Sequence, residues 1–114
     1  MSKLYYTTKE RAQAYDTTMP LLEAMYLEFK DLSKKKPDAA VSKSKIKITN
    51  RLLERVRVAL EDSDSIDFLD LLDEDDVPQV SDVTLILSQY VASMKEFNKR
   101  HFGWFEETHQ WVIR

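Results

Sequence analysis

The stretch VSDVTLILSQYVASMKEFNKRH, residues 80–101, has the clearest helical pattern in the chain. Its apolar residues alternate steps of three and four positions, which places them along one side of an α-helix. Ser81 and Asp82 suit the first turn of such a helix, and Lys99 and Arg100 suit the last. The stripe consists of Val80, Val83, Leu87, Tyr90, Met94, Phe97 and His101. We predict a helix here, with this stripe packed inward.

Two helical regions are predicted upstream of this stretch. The first opens at Thr7-Thr8-Lys9-Glu10, which has the spacing of a capping box, and continues to Pro37. We expect it to break at Pro20, because proline lacks an N–H group and clashes with the preceding turn. The second is predicted to begin near Ser42 or Ser44. Its inward stripe is Ile46, Thr49, Leu53, Val56 and Leu60.

The composition favours a single all-α domain over residues 1–114. One glycine and three prolines are too few turn residues for a sandwich or barrel, and 43% hydrophobic residues are enough for a core. We predict an antiparallel bundle of three to four helices, with a short acidic bridging helix at residues 64–73 capped by Ser63 or Ser65. In an up-and-down bundle of three long helices, the two termini are expected at opposite ends.

The C-terminal segment, residues 101–114, is rich in aromatic residues and has no clear period. Its pattern leaves three structures open: an extension of the last helix, a strand, or a segment folded back on the bundle. Trp104, Phe105 and Trp111 are candidate anchors for a protein partner, since large aromatic residues dominate binding hot spots. The alternative is that these aromatics pack against Tyr5 and Tyr6 at the other terminus.

Charge is sorted into two adjacent blocks. Residues 33–58, the basic block, hold nine basic and two acidic residues, whereas residues 59–94, the acidic block, hold ten acidic residues and no lysine or arginine. Such sorting bears on association more than on fold. Candidate contact residues in the acidic block are Asp67, Asp70, Asp73, Glu74, Asp75 and Asp76. Their simpler interpretation is a solvated helix face and its exit loop.

The basic block has a candidate function of its own, which is binding to nucleic acid. Its candidate residues are Lys43, Lys45, Lys47, Arg51, Arg55 and Arg57. The sequence pI of about 5.4 and the adjacent acidic block argue against this function, and no known nucleic-acid-binding motif is present. We expect these cations instead to pair with acidic residues, either within the molecule or between subunits.

Catalytic and metal-binding chemistry has little support in this sequence. The chain has no cysteine, which excludes disulfides, thiolate metal sites and cysteine nucleophiles. Glu106 and His109 have the Glu-x-x-His spacing of di-iron bundles, but a second such motif is missing. His101 completes an apolar stripe, so we expect it to be packed or partly buried. We predict no enzymatic activity, no metal and no cofactor.

These observations favour a non-enzymatic protein–protein interaction module. It would act either as a homo-oligomer or as a small acidic partner or inhibitor that masks a basic surface. The alternative is a nucleic-acid-associated regulator that uses the basic helix 43–57. The N-terminal six residues have no apolar run, and no window reaches the length of a membrane-spanning helix. We therefore expect a soluble cytoplasmic protein without membrane association.

Overall fold

The computed structural model describes residues 3–114 within an envelope of 49 × 24 × 21 Å. Met1 and Ser2, part of the N-terminal segment and of the predicted domain span, lie outside the described residues. The elements are α1 (Lys9–Lys35), α2 (Lys43–Leu60), α3 (Val80–His101), β1 (Phe102–Phe105) and β2 (Thr108–Trp111), with 3-10 helices at Asp64–Phe68 and Glu74–Asp76. The predicted helical character is confirmed. The all-α class is confirmed only in part, because a short two-stranded β-hairpin follows the three α-helices.

Helix α1 runs without a break through Pro20, contrary to the prediction. An interior proline costs a helix about 3 kcal/mol. Two residues near Pro20 offset this cost: Met19 and Leu22 are buried in the core, and burial of such a side chain contributes roughly 1.5–3 kcal/mol. Pro20 itself is exposed, so its ring faces solvent. At the helix start, Thr8 Oγ1 accepts the Arg11 N–H at 3.2 Å, as the capping pattern indicates.

Helices α2 and α3 begin where their sequence patterns place them. Ser42 Oγ accepts the Lys45 N–H at 3.3 Å, and Asp82 Oδ2 accepts the Gln79 N–H at 3.0 Å. The predicted α2 stripe is buried throughout, and so is the α3 stripe from Val80 to Phe97. His101 is half-buried, as expected. The three- and four-residue spacing therefore identified the core of both helices.

The connection between α2 and α3 crosses the length of the molecule, so α3 runs parallel to α2 and antiparallel to α1. At one end, Arg11 contacts Glu61, just after α2. At the other, Ala40 and Gln79 form an antiparallel bridge, which places the start of α3 beside the start of α2. The expected up-and-down topology is therefore wrong, because residues 61–79 return the chain before α3 begins.

This topology brings the two termini together. The Tyr5 N–H donates to the Arg100 carbonyl and the Thr7 N–H to the Val112 carbonyl, each at 2.8 Å. Thr7 and Ile113 also form a parallel bridge. The expectation of termini at opposite ends is wrong for the same reason as the topology.

The aromatic C-terminal segment forms a tight hairpin, one of the three structures that its sequence left open. Strand β1 pairs with β2 in the register Phe102↔Trp111 to Phe105↔Thr108. The two-residue turn is Glu106-Glu107, and both residues have positive φ, 48° and 71°. Asn-Gly and Asp-Gly are the usual residues for such a turn, so two glutamates do not predict it from the sequence.

Candidate protein interface

The connection between α2 and α3 exposes a large aromatic side chain among acidic residues. Residues 61–76, which we call the acidic segment, bury Leu69 and Leu72 against the core. Phe68 points the other way and is 76% exposed, and Leu71 is 40% exposed. The predicted contact residues Asp67, Asp70, Asp73, Asp75 and Asp76 are exposed here, and Glu74 is half-buried. The acidic segment therefore exposes apolar side chains and carboxylates to solvent within a short stretch of chain.

Polar side chains from α2 and α3 hold the acidic segment in place. Asn50 on α2 accepts the Leu72 N–H with Oδ1 and donates to the Leu72 carbonyl with Nδ2, both at 2.8 Å. Arg57 Nη1 donates to the Leu69 carbonyl. Tyr90 Oη on α3 donates to the Asp70 carbonyl at 3.0 Å.

These contacts explain why the predicted bridging helix is shorter than expected. Only Asp64–Phe68 is helical, in 3-10 form, and Leu69 has an extended conformation with φ −102° and ψ 112°. Ser63 is at the N-cap position, although its side chain makes no capping hydrogen bond. Beyond Phe68, side chains of the neighbouring helices replace the hydrogen bonds that a longer helix would make within itself.

Burial raises the pKa of Tyr90 above its ordinary value. The hydrogen bond and charge of Arg57 lower that pKa, but they only partly offset the effect of burial. The phenol is therefore protonated at neutral pH and can donate its proton to the Asp70 carbonyl. This contact gives the acidic segment a fixed attachment to α3.

The carboxylates of the acidic segment have little compensation from nearby cations. Arg11 on α1 contacts Glu61 at 3.0 Å and Asp62 at 2.8 Å, at the start of the segment. Asp73 Oδ1 accepts the Asp75 N–H at 2.9 Å, a local turn contact. Within residues 3–114, no ion pair joins the acidic block to the basic block. The expected pairing within the molecule is therefore not seen in the described part of the chain.

The predicted nucleic-acid-binding residues of α2 do not form one uniform surface. Lys43, Lys45, Lys47, Arg51 and Arg55 are exposed, whereas Arg57 is half-buried. Because Arg57 donates to the Leu69 carbonyl, it acts in positioning the acidic segment. Lys45, Arg51 and Arg55 border a groove between α1 and α2. One cation therefore makes a structural contact, three border the groove, and Lys43 and Lys47 are exposed outside both.

This groove, which we call the α1/α2 groove, has a volume of about 650 Å³ and an apolar floor. Met25, Phe29 and Leu52 are half-buried along it, and Leu21 and Ile48 are 57% and 52% exposed on its walls. This groove was not predicted from the sequence. The signal for a groove was nevertheless present, because Ile48, Leu52 and Arg55 follow helical spacing beside the core stripe of α2.

The three predicted aromatic anchors differ in their surroundings. Trp104 is 64% exposed and contacts the His109 ring edge-on at 5.3 Å. Phe105 is half-buried against Tyr6, with ring centroids 6.3 Å apart. This contact is the packing between termini that the sequence left as an alternative. Of the three side chains, only that of Trp104 is mainly in solvent.

Trp111 is half-buried in a cluster of aromatic side chains. Its ring lies 5.1 Å from that of Tyr15, 5.5 Å from that of Phe97 and 5.2 Å from that of Phe102. Its indole N–H donates to Asp16 Oδ2 at 3.2 Å. Burial is the main factor that raises the pKa of Tyr15 in the same cluster. Trp111 therefore attaches the hairpin to α1 and α3.

The C-terminal acidic and histidine residues lie on the hairpin and at the end of α3. Glu106 and Glu107 form the exposed turn of the hairpin, and His109 is exposed beside Trp104. Nδ1 of His101 lies 2.8 Å from the Tyr5 carbonyl oxygen, and its ring packs 4.7 Å from that of Phe97. Among residues 3–114, no group of three or more His, Asp or Glu is arranged to hold a metal ion.

None of the helices in the described part is long and apolar enough to cross a membrane. Comparisons with protein-family models, with curated proteins and with solved structures find no match to this sequence or fold.

Proposed function

We propose that this chain is a non-enzymatic protein–protein interaction module whose acidic segment contacts a basic, partly apolar surface of a partner. The observation that carries this proposal is the exposure of Phe68 in a segment whose backbone is held by Asn50, Arg57 and Tyr90. A solvent-exposed phenylalanine gives the folded chain little stability by itself. Buried in a partner, the same ring would act as an apolar anchor.

The fixed backbone and the surrounding charge have separate effects on binding. Because three side chains already hold the segment, binding requires less ordering of the chain, which strengthens an interface of a given area. The carboxylates act mainly on partner selection and association rate, since long-range attraction steers a basic partner toward them. Asp67 and Asp70 flank Phe68 and are the carboxylates that we expect to lie closest to the partner.

The test is affinity capture from extracts of the source cells with two matched forms of the chain. The first form carries Phe68→Ala, Asp67→Asn and Asp70→Asn. The control form carries Leu85→Ala, Glu23→Gln and Asp31→Asn, which removes one exposed apolar side chain and two exposed carboxylates elsewhere.

We expect the wild-type and control forms to retain the same protein partner at low salt. The first form should retain at least tenfold less of that partner. Equal retention by all three forms, measured by quantitative mass spectrometry, would contradict the proposal. Circular dichroism of each form checks that the helices are intact.

Nucleic-acid association is the second candidate function. Its supporting observation is that Lys43, Lys45, Lys47, Arg51 and Arg55 are exposed and make no ion pair in the described part of the chain. If all five contact phosphates, the logarithm of the binding constant should fall with log salt at a slope of about −4 to −5. A mobility-shift titration at low salt tests this function, and no retained DNA or RNA eliminates it.

A further inference from the structure

The acidic segment and the α1/α2 groove lie on opposite flanks of the same helix. Asn50 and Arg57 contact the acidic segment, whereas Ile48 and Arg55 line the groove. At about 100° per residue, these two pairs point roughly 180° apart around the axis of α2. One molecule therefore presents the acidic surface on one side and the cationic groove on the other.

The chemistry of the groove complements that of the acidic segment. Three cations border the groove, Lys45, Arg51 and Arg55, and Glu28 is the acidic residue in its lining. None of these three cations makes an ion pair with a described carboxylate. Both surfaces therefore keep unpaired charge of opposite sign beside exposed apolar side chains.

The dimensions of the two surfaces also agree. Leu69 has an extended backbone, and three residues of extended chain span at most about 10 Å, at roughly 3.3 Å per residue, which bounds the Cα separation of Phe68 and Leu71. Two turns of α1, from Leu21 to Glu28, cover a similar distance of about 10 Å along the groove. A volume of about 650 Å³ falls within the usual range for a cleft that takes several side-chain groups.

We infer that the acidic segment of one copy, led by Phe68 and Leu71, docks into the α1/α2 groove of a second copy. The inference rests on the proposed function and names the partner as another molecule of this chain. Phe68 would contact the apolar floor, and the flanking aspartates would meet Lys45, Arg51 and Arg55 on the rim. The charges left unpaired within one molecule become paired between two.

The contact is head-to-tail, because it joins two different surfaces of the protomer. After two copies join, one groove and one acidic segment are still free. Assembly then continues as an open chain unless the rotation between copies closes a ring. A face-to-face dimer through the groove alone would instead place the cationic rims of two copies together, which is unfavourable.

Two single-surface variants test the inference by complementation. The segment variant is Phe68→Glu, and the groove variant combines Ile48→Glu with Arg51→Glu. All three side chains are exposed, so each variant should fold, which circular dichroism checks. A second segment variant, Phe68→Ala, keeps the test valid if the glutamate disturbs the segment. The control is Leu85→Glu, on the exposed face of α3.

Light scattering on a size-exclusion column gives the mass of each sample over a wide concentration range. We expect wild type and control to rise above the 13.4 kDa monomer with concentration, and each variant alone to stay at 13.4 kDa. An equimolar mixture of the two variants should form a dimer and stop there, because each contributes its one intact surface. The association constant of this mixed dimer should fall by about tenfold or more between low and high salt.

Other outcomes overturn the inference in distinguishable ways. A wild-type chain that is monomeric throughout eliminates self-association. If Phe68→Ala also loses a captured partner protein in that case, the proposed function stands without this inference. A mixture that stays monomeric while wild type associates excludes the head-to-tail contact. If wild type is monomeric and binds DNA or RNA, and Arg51→Glu removes that binding, the groove rim is assigned to nucleic acid.

Discussion

The acidic segment and the C-terminal hairpin both lie outside the long helices and both carry aromatic residues, yet they expose them differently. In the hairpin, the half-buried Trp111 packs on Tyr15 and Phe97 at the edge of the core. In the acidic segment, Leu69 and Leu72 take the inward positions and Phe68 is left in solvent. Aromatic content alone therefore does not identify an interface. Whether a ring is exposed depends on which other side chains already occupy the core beside it.

The largest effect on stability should come from removing the more buried tryptophan of the hairpin. We expect Trp111→Ala to lower the free energy of unfolding by about 3 kcal/mol, because it leaves a cavity among three rings and removes the bond to Asp16. Urea denaturation followed by circular dichroism measures this loss. Trp104→Ala is the matched control on the same hairpin and should cost less than about 0.5 kcal/mol. Equal losses of unfolding free energy in Trp111→Ala and Trp104→Ala would contradict the contrast between a packed and an exposed tryptophan.

The next effect concerns the attachment of the acidic segment. Asn50→Ala leaves the buried Leu72 N–H and carbonyl without their partner, and we expect a cost of about 2 kcal/mol. Hydrogen exchange at the Leu72 amide should accelerate more than exchange in α3. Lys47→Ala, at an exposed position of α2, is the control. If Asn50→Ala leaves hydrogen exchange at the Leu72 amide unchanged, burial of Leu69 and Leu72 alone holds the segment in place.

A smaller effect is expected from Tyr90, and it depends on pH. Its folded-state pKa is raised above the ordinary value of 10.0, so its contribution is present below pH 10 and is lost as pH rises through the folded pKa. Tyr90→Phe should cost about 1 kcal/mol at pH 8, since it removes the bond to the Asp70 carbonyl.

Above pH 10, the loss of wild-type stability should be steeper than that of Tyr90→Phe, as measured by urea denaturation at several pH values. Tyr15→Phe is a necessary comparison, because burial also raises the pKa of Tyr15. Parallel stability curves for wild type and Tyr90→Phe would contradict this prediction.

The smallest effect on stability should come from the most exposed aromatic residue. Phe68→Ala should change the free energy of unfolding by no more than about 0.5 kcal/mol, because the ring makes few contacts within the molecule. The same substitution should reduce association by tenfold or more in the capture and light-scattering experiments. If Phe68→Ala destabilises the fold as much as Asn50→Ala does, the ring is structural and the comparison between the two regions fails.

Much of the helical core could be predicted because helical spacing is a local property. Ile46 to Leu60 and Val80 to Phe97 follow the three- and four-residue steps, and both stripes are buried. The same rules failed at Pro20, where burial of Met19 and Leu22 outweighs the local cost of proline. Leu21, next to the buried Leu22, lines the neighbouring groove and is exposed.

The candidate surfaces were predicted only in part. The exposed aspartates were identified by their number and spacing, but Phe68, which is central to the proposed interface, was not among the candidate contact residues. Its exposure depends on Leu69 and Leu72 occupying the core side. Arg57 looked like any other cation of α2 in the sequence, yet it contacts a backbone carbonyl twelve residues ahead. No local pattern distinguishes these cases, because each depends on contacts between separate elements.

By itself, the sequence determined the three helical regions, the inward stripes of α2 and α3 and the separation of basic from acidic residues. Only the tertiary structure decided the direction of α3, the pairing of the termini, the Glu106-Glu107 turn and the placement of the two charged surfaces on opposite flanks of α2. The physical reason is that helical spacing and charge are properties of neighbouring residues. Chain direction and exposure depend on which distant side chains, such as Asn50 and Tyr90, satisfy the backbone of the crossing segment.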